Sequence, residues 1–389
     1  MKVICDRSAL QEAVNLAAGV VSPRSPRPQL ACVKLSATVD GDVGALTLAG
    51  TDGEVSLSVT TTGVEVQREG EALVPAAKLQ QIISAEDAEP TLTLETEQDA
   101  LEIRGADARF TVYGFPPGEF PPIAAFPSGE GDEKTQSRFR MDSQTLANLI
   151  TRTLFATAKE TSRYAINGVL LKHTGKKVEM VATDGRRLAF ASGVVDGADN
   201  DPTASSIIPS KALQTASKLI QPDGVVHMAI MESKAAISFG QAGDPLWAVL
   251  TTTLIEGAFP PFEDVIPRDQ DKKATLDVAT ISSAIRRAAI LTNEESRGVR
   301  MKFEADGDSA GALTLMSRAP ELGEAEVTAP LRGYTGDAVE IGFNPAFILD
   351  ALKVINEAEA TIELKAPTKP GLIRSGSDFL YVVMPVGLQ

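Results

Sequence analysis

Leu10-Gln11-Glu12-Ala13-Val14-Asn15-Leu16-Ala17 decides the fold, because the chain writes the same pattern twice more. Leu10, Ala13, Val14 and Ala17 are apolar at i, i+3, i+4 and i+7, the stripe of an amphipathic helix. Leu146, Leu149, Ile150 and Thr153 repeat it, and so do Ile281, Ala284, Ile285 and Ala288, at steps of 136 and 135 residues. A second landmark, a short apolar run stopping at a helix-starting residue, falls at Val74-Pro75, Ile208-Pro209 and Phe343-Asn344, with steps of 134 and 135. Two landmarks sharing one period identify a threefold internal repeat. Modules joined end to end curve into an arc, and an arc suits something to be gripped or encircled.

Within each copy a strand precedes the helix, with Ser8, Ser143 and Thr280 as candidate N-caps. Alternating runs such as Ala45–Leu48 and Val55–Val59 read as half-buried strands. A second helix is expected over residues 75–84, 210–220 and 344–355, with Pro75 and Pro345 in the first turn and Ser210 and Asn344 as caps. Gly114–Pro122 and Glu256–Phe262, both proline-rich, mark the joints, and Ser128–Gln136 reads as an exposed linker. The expected class is α+β, three repeated domains over 1–127, 128–258 and 259–389, each with two helices packed on antiparallel sheets.

Composition narrows the function. The chain has 389 residues, 43% apolar, and no apolar run of membrane-spanning length or signal-peptide form, so a cytoplasmic protein without membrane contact is expected. Cys5 and Cys32 stand in strand-like surroundings and read as reduced, buried thiols. His173 and His227 have no neighbours at ligand spacing, so neither metal nor cofactor is expected. The net charge of −15 divides as −9, −2 and −4 over residues 1–127, 128–267 and 268–389. An acidic body argues against broad phosphate binding and makes the placement of the cations decisive.

Three constellations could carry function. Thr183-Asp184-Gly185-Arg186-Arg187-Leu188, echoed by Thr51-Asp52-Gly53, is a tight turn whose second copy adds a cationic rim. A hydrolase on that turn is one alternative, but it lacks a nucleophile–base pair. Helical cations form the second set: Lys78 in copy one, Arg152 with Lys159 and Lys211 with Lys218 in copy two, Arg286, Arg287 and Lys353 in copy three. Lying opposite the apolar stripes, they would form a sparse, sequence-blind positive track. The third is the apolar C-terminus, Leu380–Gln389, which reads as a tucked tail or as one wall of a peptide groove with adaptable Met384.

The chain resembles the bacterial sliding clamp, the beta subunit of the replicative DNA polymerase, over its whole length. The resemblance rests on Arg163-Tyr164-Ala165-Ile166-Asn167-Gly168-Val169, Val181–Ala189, Phe259-Pro260, Ala288–Glu294, Ile341-Gly342-Phe343-Asn344 and Val382-Val383-Met384-Pro385. It implies a non-catalytic processivity factor, a homodimeric ring around duplex DNA, with the replicative polymerase, the clamp loader and other clamp-binding-motif proteins as partners. It adds Arg24 and Tyr164 to the DNA-binding set. It places the partner groove at Ile166, Thr183, Gly185, Arg187, Leu188, Pro260, Val265, Asn344, Phe347, Val382, Met384, Pro385 and Leu388. It places the dimer contact at Phe110 on one side and Ile290 and Leu291 on the other, residues that read equally well as domain core. Ala165, Glu160, Asp264, Gly387 and Arg186 depart from the family pattern. A clamp-fold adaptor that tethers proteins without encircling DNA is the remaining alternative.

Overall fold

The computed structural model describes residues 1–127, 135–159, 164–197, 203–241, 246–292, 298–306, 309–320 and 322–387. Much of the expected linker, Glu160, Arg163, Asn293, Glu294 and Leu388 lie outside the described residues. Six helices carry the repeat: α1 (Arg7–Ala18), α2 (Ala76–Ala85), α3 (Ser143–Thr153), α4 (Ser210–Ser217), α5 (Val278–Ala288) and α6 (Pro345–Lys353). The residues of all three apolar stripes are buried, none more than 2% exposed. The expected α4 over 210–220 stops at Ser217, ahead of the Gln221-Pro222-Asp223-Gly224 turn, and α6 stops at Lys353.

The caps of the first helices differ from expectation. Asp6, Asp142 and Asp277 do this work, again 136 and 135 residues apart. Asp6 accepts from the Ala9 amide at 2.8 Å and Asp277 from the Thr280 amide at 2.9 Å. Asp142 accepts from both the amide and the hydroxyl of Thr145, each at 2.7 Å. Ser8, Ser143 and Thr280 lie inside the helices instead. Each aspartate ends a strand, and its extended backbone is already the N-cap conformation, so the carboxylate reaches the free amide hydrogens of the first turn. Asn344 does cap α6, accepting from the Ala346 amide at 3.0 Å, whereas Ser210 follows Pro209 at the N-cap of α4.

The described chain divides into two compact units. Unit one is Met1–Ala147 with Thr174–Lys176 and Val195–Leu254; unit two is Asn148–His173 with Lys177–Val194 and Ile255–Gln389. In unit one a five-stranded sheet runs in the order Glu65–Arg68, Lys2–Asp6, Thr91–Glu97, Ala100–Arg104, Arg109–Tyr113. An eight-stranded sheet runs Ser137–Asp142, Val225–Ile230, Lys234–Gly240, Ala248–Thr253, Val55–Thr62, Val43–Thr51, Cys32–Asp40, Gly70–Pro75. In unit two one sheet includes Lys177–Thr183, Arg187–Val194, Phe379–Val383, Gly371–Ser375, Glu359–Leu364 and Lys272–Asp277 in that order. A four-stranded sheet runs Gly323–Pro330, Ser309–Ala319, Val299–Asp306, Val339–Phe343. Helix α1 packs beside α2 on the strands Val43–Thr51 and Val55–Thr62, and α5 packs beside α6 against the counterpart region Ser309–Pro330. Cys5 and Cys32 are free and buried, and burial pushes their thiols up to about 12 and about 11.

One pairing recurs. Val55–Thr62 of copy one joins Ala248–Thr253 of copy two, antiparallel, with Leu57 opposite Leu250. Arg187–Val194 of copy two joins Phe379–Val383 of copy three the same way, with Ala189 opposite Tyr381. Each unit therefore builds one sheet across a joint between copies. The strands left at sheet edges include Arg109–Tyr113, the last of copy one, and Gly323–Pro330, the counterpart of Val55–Thr62 in copy three.

The buried stripe and the caps should separate in a denaturation experiment. Leu146→Ala, at a residue with no exposure, is expected to cost about 2–5 kcal/mol. Asp142→Ala should cost about 1 kcal/mol, with Asp142→Asn keeping most of that. Guanidinium melts of the three variants check the ranking.

Candidate partner groove and cationic helix faces

The groove belongs to unit two and starts from a turn. Strand Lys177–Thr183 reverses into Arg187–Val194, and the turn is tied by its own side chains. The Thr183 hydroxyl donates to the Arg187 carbonyl at 2.7 Å and accepts from the Gly185 amide at 3.1 Å. Asp184 accepts from the Arg186 and Arg187 amides at 2.9 and 3.1 Å. Gly185 has φ +84° with open space where a side chain would stand, so the backbone conformation, not room, calls for glycine. Thr183 and Asp184 are thus engaged in holding the turn, and no catalytic pair is built on them.

Strand Phe379–Val383 then pairs with Arg187–Val194, setting Val382 opposite Leu188, and the Met384 amide donates to the Arg186 carbonyl at 2.9 Å. The segment 260–265 supplies the other wall. Phe262 is 5% exposed and packs 6.4 Å from the rings of both Phe190 and Phe259. The Lys172 ammonium sits 4.5 Å from its ring centre and donates to Glu263 at 2.6 Å. That hydrogen bond holds the Glu263 carboxyl below its ordinary range. Together these segments enclose a cavity of about 220 Å³ whose surface is almost entirely apolar. Val265 and Met384 stand 52% and 42% exposed at its edges, so large apolar side chains meet water there.

Of the expected groove residues, Ile166, Thr183, Gly185, Arg187, Leu188, Pro260, Val265, Val382 and Met384 line this cavity. Asn344, Phe347 and Pro385 are not among its lining residues. Asn344 is occupied as the α6 cap, and Phe347 stands behind Arg187, its ring centre 4.4 Å from the guanidinium. Beyond Pro385 the Val386 amide donates to the Gly342 carbonyl at 2.9 Å, pinning the tail. Tyr164, expected on the DNA side, lines the groove at 44% exposure. Arg186, expected only in the turn's cationic rim, also lines the cavity, and Pro261 and Phe262 were not expected there; Phe259-Pro260-Pro261-Phe262 was the available signal.

Arg187 serves the groove by shape. Its guanidinium donates to Asp184 at 3.1 Å, Asp350 at 2.6 Å and the Phe155 carbonyl at 2.9 Å. It lies between the rings of Phe155 and Phe347, 5.4 and 4.4 Å from their centres. These bonds brace the turn against α6. Tyr381 completes this layer, packing 5.8 Å from Phe155 and donating to the Phe347 carbonyl at 2.9 Å. Burial pushes its phenol above the ordinary tyrosine range.

The cations divide by exposure. Arg24, Lys78, Lys218, Arg286 and Arg287 are exposed. Lys211 is exposed but bonded to Asp52 at 2.5 Å and to the Val20 carbonyl at 3.3 Å. Burial opposes ionisation of Asp52, but the Lys211 bond and two backbone amides outweigh it and lower its pKa. Arg152 does not fit the expected DNA-binding set. It is 5% exposed, bonded to Asp378 at 2.6 Å and Glu357 at 3.4 Å, and lies over the Phe379 ring. A guanidinium buried in its own ion pairs cannot reach a phosphate. Lys159 follows the 3-10 turn Leu154–Ala156, so the two do not share a helix face. At the expected dimer contact, Ile290 is 74% exposed, and Phe110 and Leu291 are half-buried.

Comparison with known proteins follows the copies. Residues 1–124, 140–261 and 263–387 match the N-terminal, central and C-terminal domains of the DNA polymerase III beta subunit family. The beta sliding clamp of Pseudomonas aeruginosa is 33% identical over the whole of both chains. That of Caulobacter vibrioides is 31% identical over 99% of this chain and all of its own. A crystal structure of the Pseudomonas aeruginosa sliding clamp, bound to griselimycin, superposes with a TM-score of 0.87 at 32% identity, covering all of both chains. No helix among the described residues is long and apolar enough to cross a membrane. The chain belongs to the family of DNA polymerase III beta subunits, the bacterial sliding clamps.

Proposed function

We propose that two copies of this chain close head to tail into a ring that encircles duplex DNA and, through the unit-two groove, tethers the replicative polymerase, the clamp loader and other partners carrying a short apolar motif. The activity is topological and non-catalytic. A closed ring cannot leave circular duplex by dissociating, so each phosphate contact can be weak and sequence-blind, which permits sliding. A tethered polymerase then rebinds the primer end at high effective concentration. Arg24, Lys78, Lys211, Lys218, Arg286 and Arg287 are the cations proposed for the DNA side, and domains at 1–127, 128–258 and 259–389 are the repeating units. The cytoplasm is the proposed compartment.

The observation that carries the dimer is the twice-used pairing between copies. Aligning the copies by their helices makes Phe110 the counterpart of Leu250 and Tyr381, and Ala325 the counterpart of Leu57 and Ala189. The same pairing between subunits sets Phe110 opposite Ala325 of the partner subunit. Its antiparallel register sets Arg109 opposite Glu326, and Tyr113 opposite Leu322, across the interface. Tyr113 and Leu322 are 82% and 72% exposed, an unusual state for apolar side chains at a sheet edge. Ile290 is the counterpart of Phe155, which packs 5.8 Å from Tyr381 inside the chain. By the same template Ile290 packs on Phe110 of the partner subunit. The contact is heterologous, and it closes into a ring of two when the three-copy arc spans half a turn.

Light scattering should return twice the 41.0 kDa chain mass. Phe110→Asp or Ile290→Asp should return the chain mass with an unchanged circular dichroism spectrum. The register is checked by Thr111→Cys with Glu324→Cys, expected to cross-link on oxidation, while Thr111→Cys with Thr328→Cys should not. A wild-type monomer, or cross-linking in the shifted pair alone, counts against this arrangement.

For the groove, Met384→Ala and Val265→Asp change exposed wall residues and should leave the dimer mass intact. Each is expected to weaken binding of a fluorescent peptide with leucine and phenylalanine anchors about tenfold, the scale of a hot-spot truncation. Unchanged affinity in both would remove the groove from the account.

A further inference from the structure

The groove's floor is apolar and therefore selects a peptide's anchors by size and shape without reading the charges that flank them. That selection falls to charge at the rim. The lining segments 183–188 and 260–265 carry five charged residues: Asp184, Arg186, Arg187, Glu263 and Asp264. Three are neutralised within the chain. Asp184 and Arg187 bond each other at 3.1 Å, Arg187 also holds Asp350, and Glu263 holds Lys172 at 2.6 Å. Two remain: Arg186 on the turn and Asp264 on the opposite segment are exposed and have no ion pair among the described residues. They are of opposite sign: Arg186 lines the cavity, and Asp264 stands in the chain between the lining residues Phe262 and Val265 of the other wall.

Resting on the groove reading above, we infer that Arg186 and Asp264 form a charge ruler that selects the charges flanking the anchors of the bound peptide. The occupant is a linear segment with an apolar centre, an acidic residue on the side of Arg186 and a basic residue on the side of Asp264. A segment with the two charges exchanged brings like charges together at both ends, so the rim rejects it even when its apolar anchors fit. The preference is electrostatic and solvent-exposed, so it fades as salt rises.

Three fluorescein-labelled nine-residue peptides with one shared Leu-Phe centre test this on the full chain by anisotropy at low salt. One carries glutamate before the centre and lysine after it, one the reverse, and one glutamine at both places. The two charged peptides should differ about fivefold in affinity, the scale of exposed rim pairs, with the neutral peptide between them. The double variant Arg186→Glu/Asp264→Lys should invert the order of the two charged peptides. Equal binding of the two charged peptides to wild type, or an order that survives the double reversal, overturns the ruler and leaves the groove standing. Failure of all three peptides to bind overturns the groove and the ruler together.

Discussion

Unpaired strand edges are the constraint from which the rest follows. An edge presents a row of free amide and carbonyl groups, and proteins either pair it, cover it or blunt it. This chain pairs it twice, each time joining the second outer strand of one copy to the last strand of the next. Repetition of that joint fixes what remains: copy one keeps a free last strand and copy three a free receiving strand. Neither is blunted. Phe110 is half-buried, and Tyr113, Ile290 and Leu322 offer apolar side chains around the two edges. In the proposed ring a second copy of the chain would pair both of these strands at once.

The same joint explains why the groove of unit two has an apolar floor. Where copy two meets copy three, Leu188, Val382 and Met384 line an apolar cavity braced by Arg187. Aligned on the Thr-Asp-Gly turn, the counterparts where copy one meets copy two are Ser56, Thr251, Thr253 and Val55. Hydroxyl side chains do not build an apolar floor, and Val55 has no guanidinium to hold a turn against a helix. Duplication supplied the frame, and a few differences at the junction of copies two and three gave it an apolar floor.

Much of this was legible in the sequence for a physical reason. A helix stripe is a local signal, so all three apolar faces could be read, along with the tight turns and the proline-marked joints. The errors came where distant segments decide. Arg152 looks like a solvated cation until Asp378 and Glu357, more than two hundred residues away, close over it. Arg187 looks like a cationic rim until Asp350 takes its charge inward. The aspartate caps were overlooked because a strand's last residue and a helix's cap are here the same residue. Phe110 and Ile290 could be core or surface by composition alone; only the register of the internal joints gives their exposure a purpose.

The central claim is that the chain acts by enclosure. Its most direct test loads the protein onto nicked circular duplex DNA with the family's ATP-driven loader and then cuts the circle at one site. Gel filtration in enough salt to suppress phosphate contacts should show protein travelling with the intact circle and released after the cut. Retention that survives linearisation, or loss from the intact circle, would contradict the account.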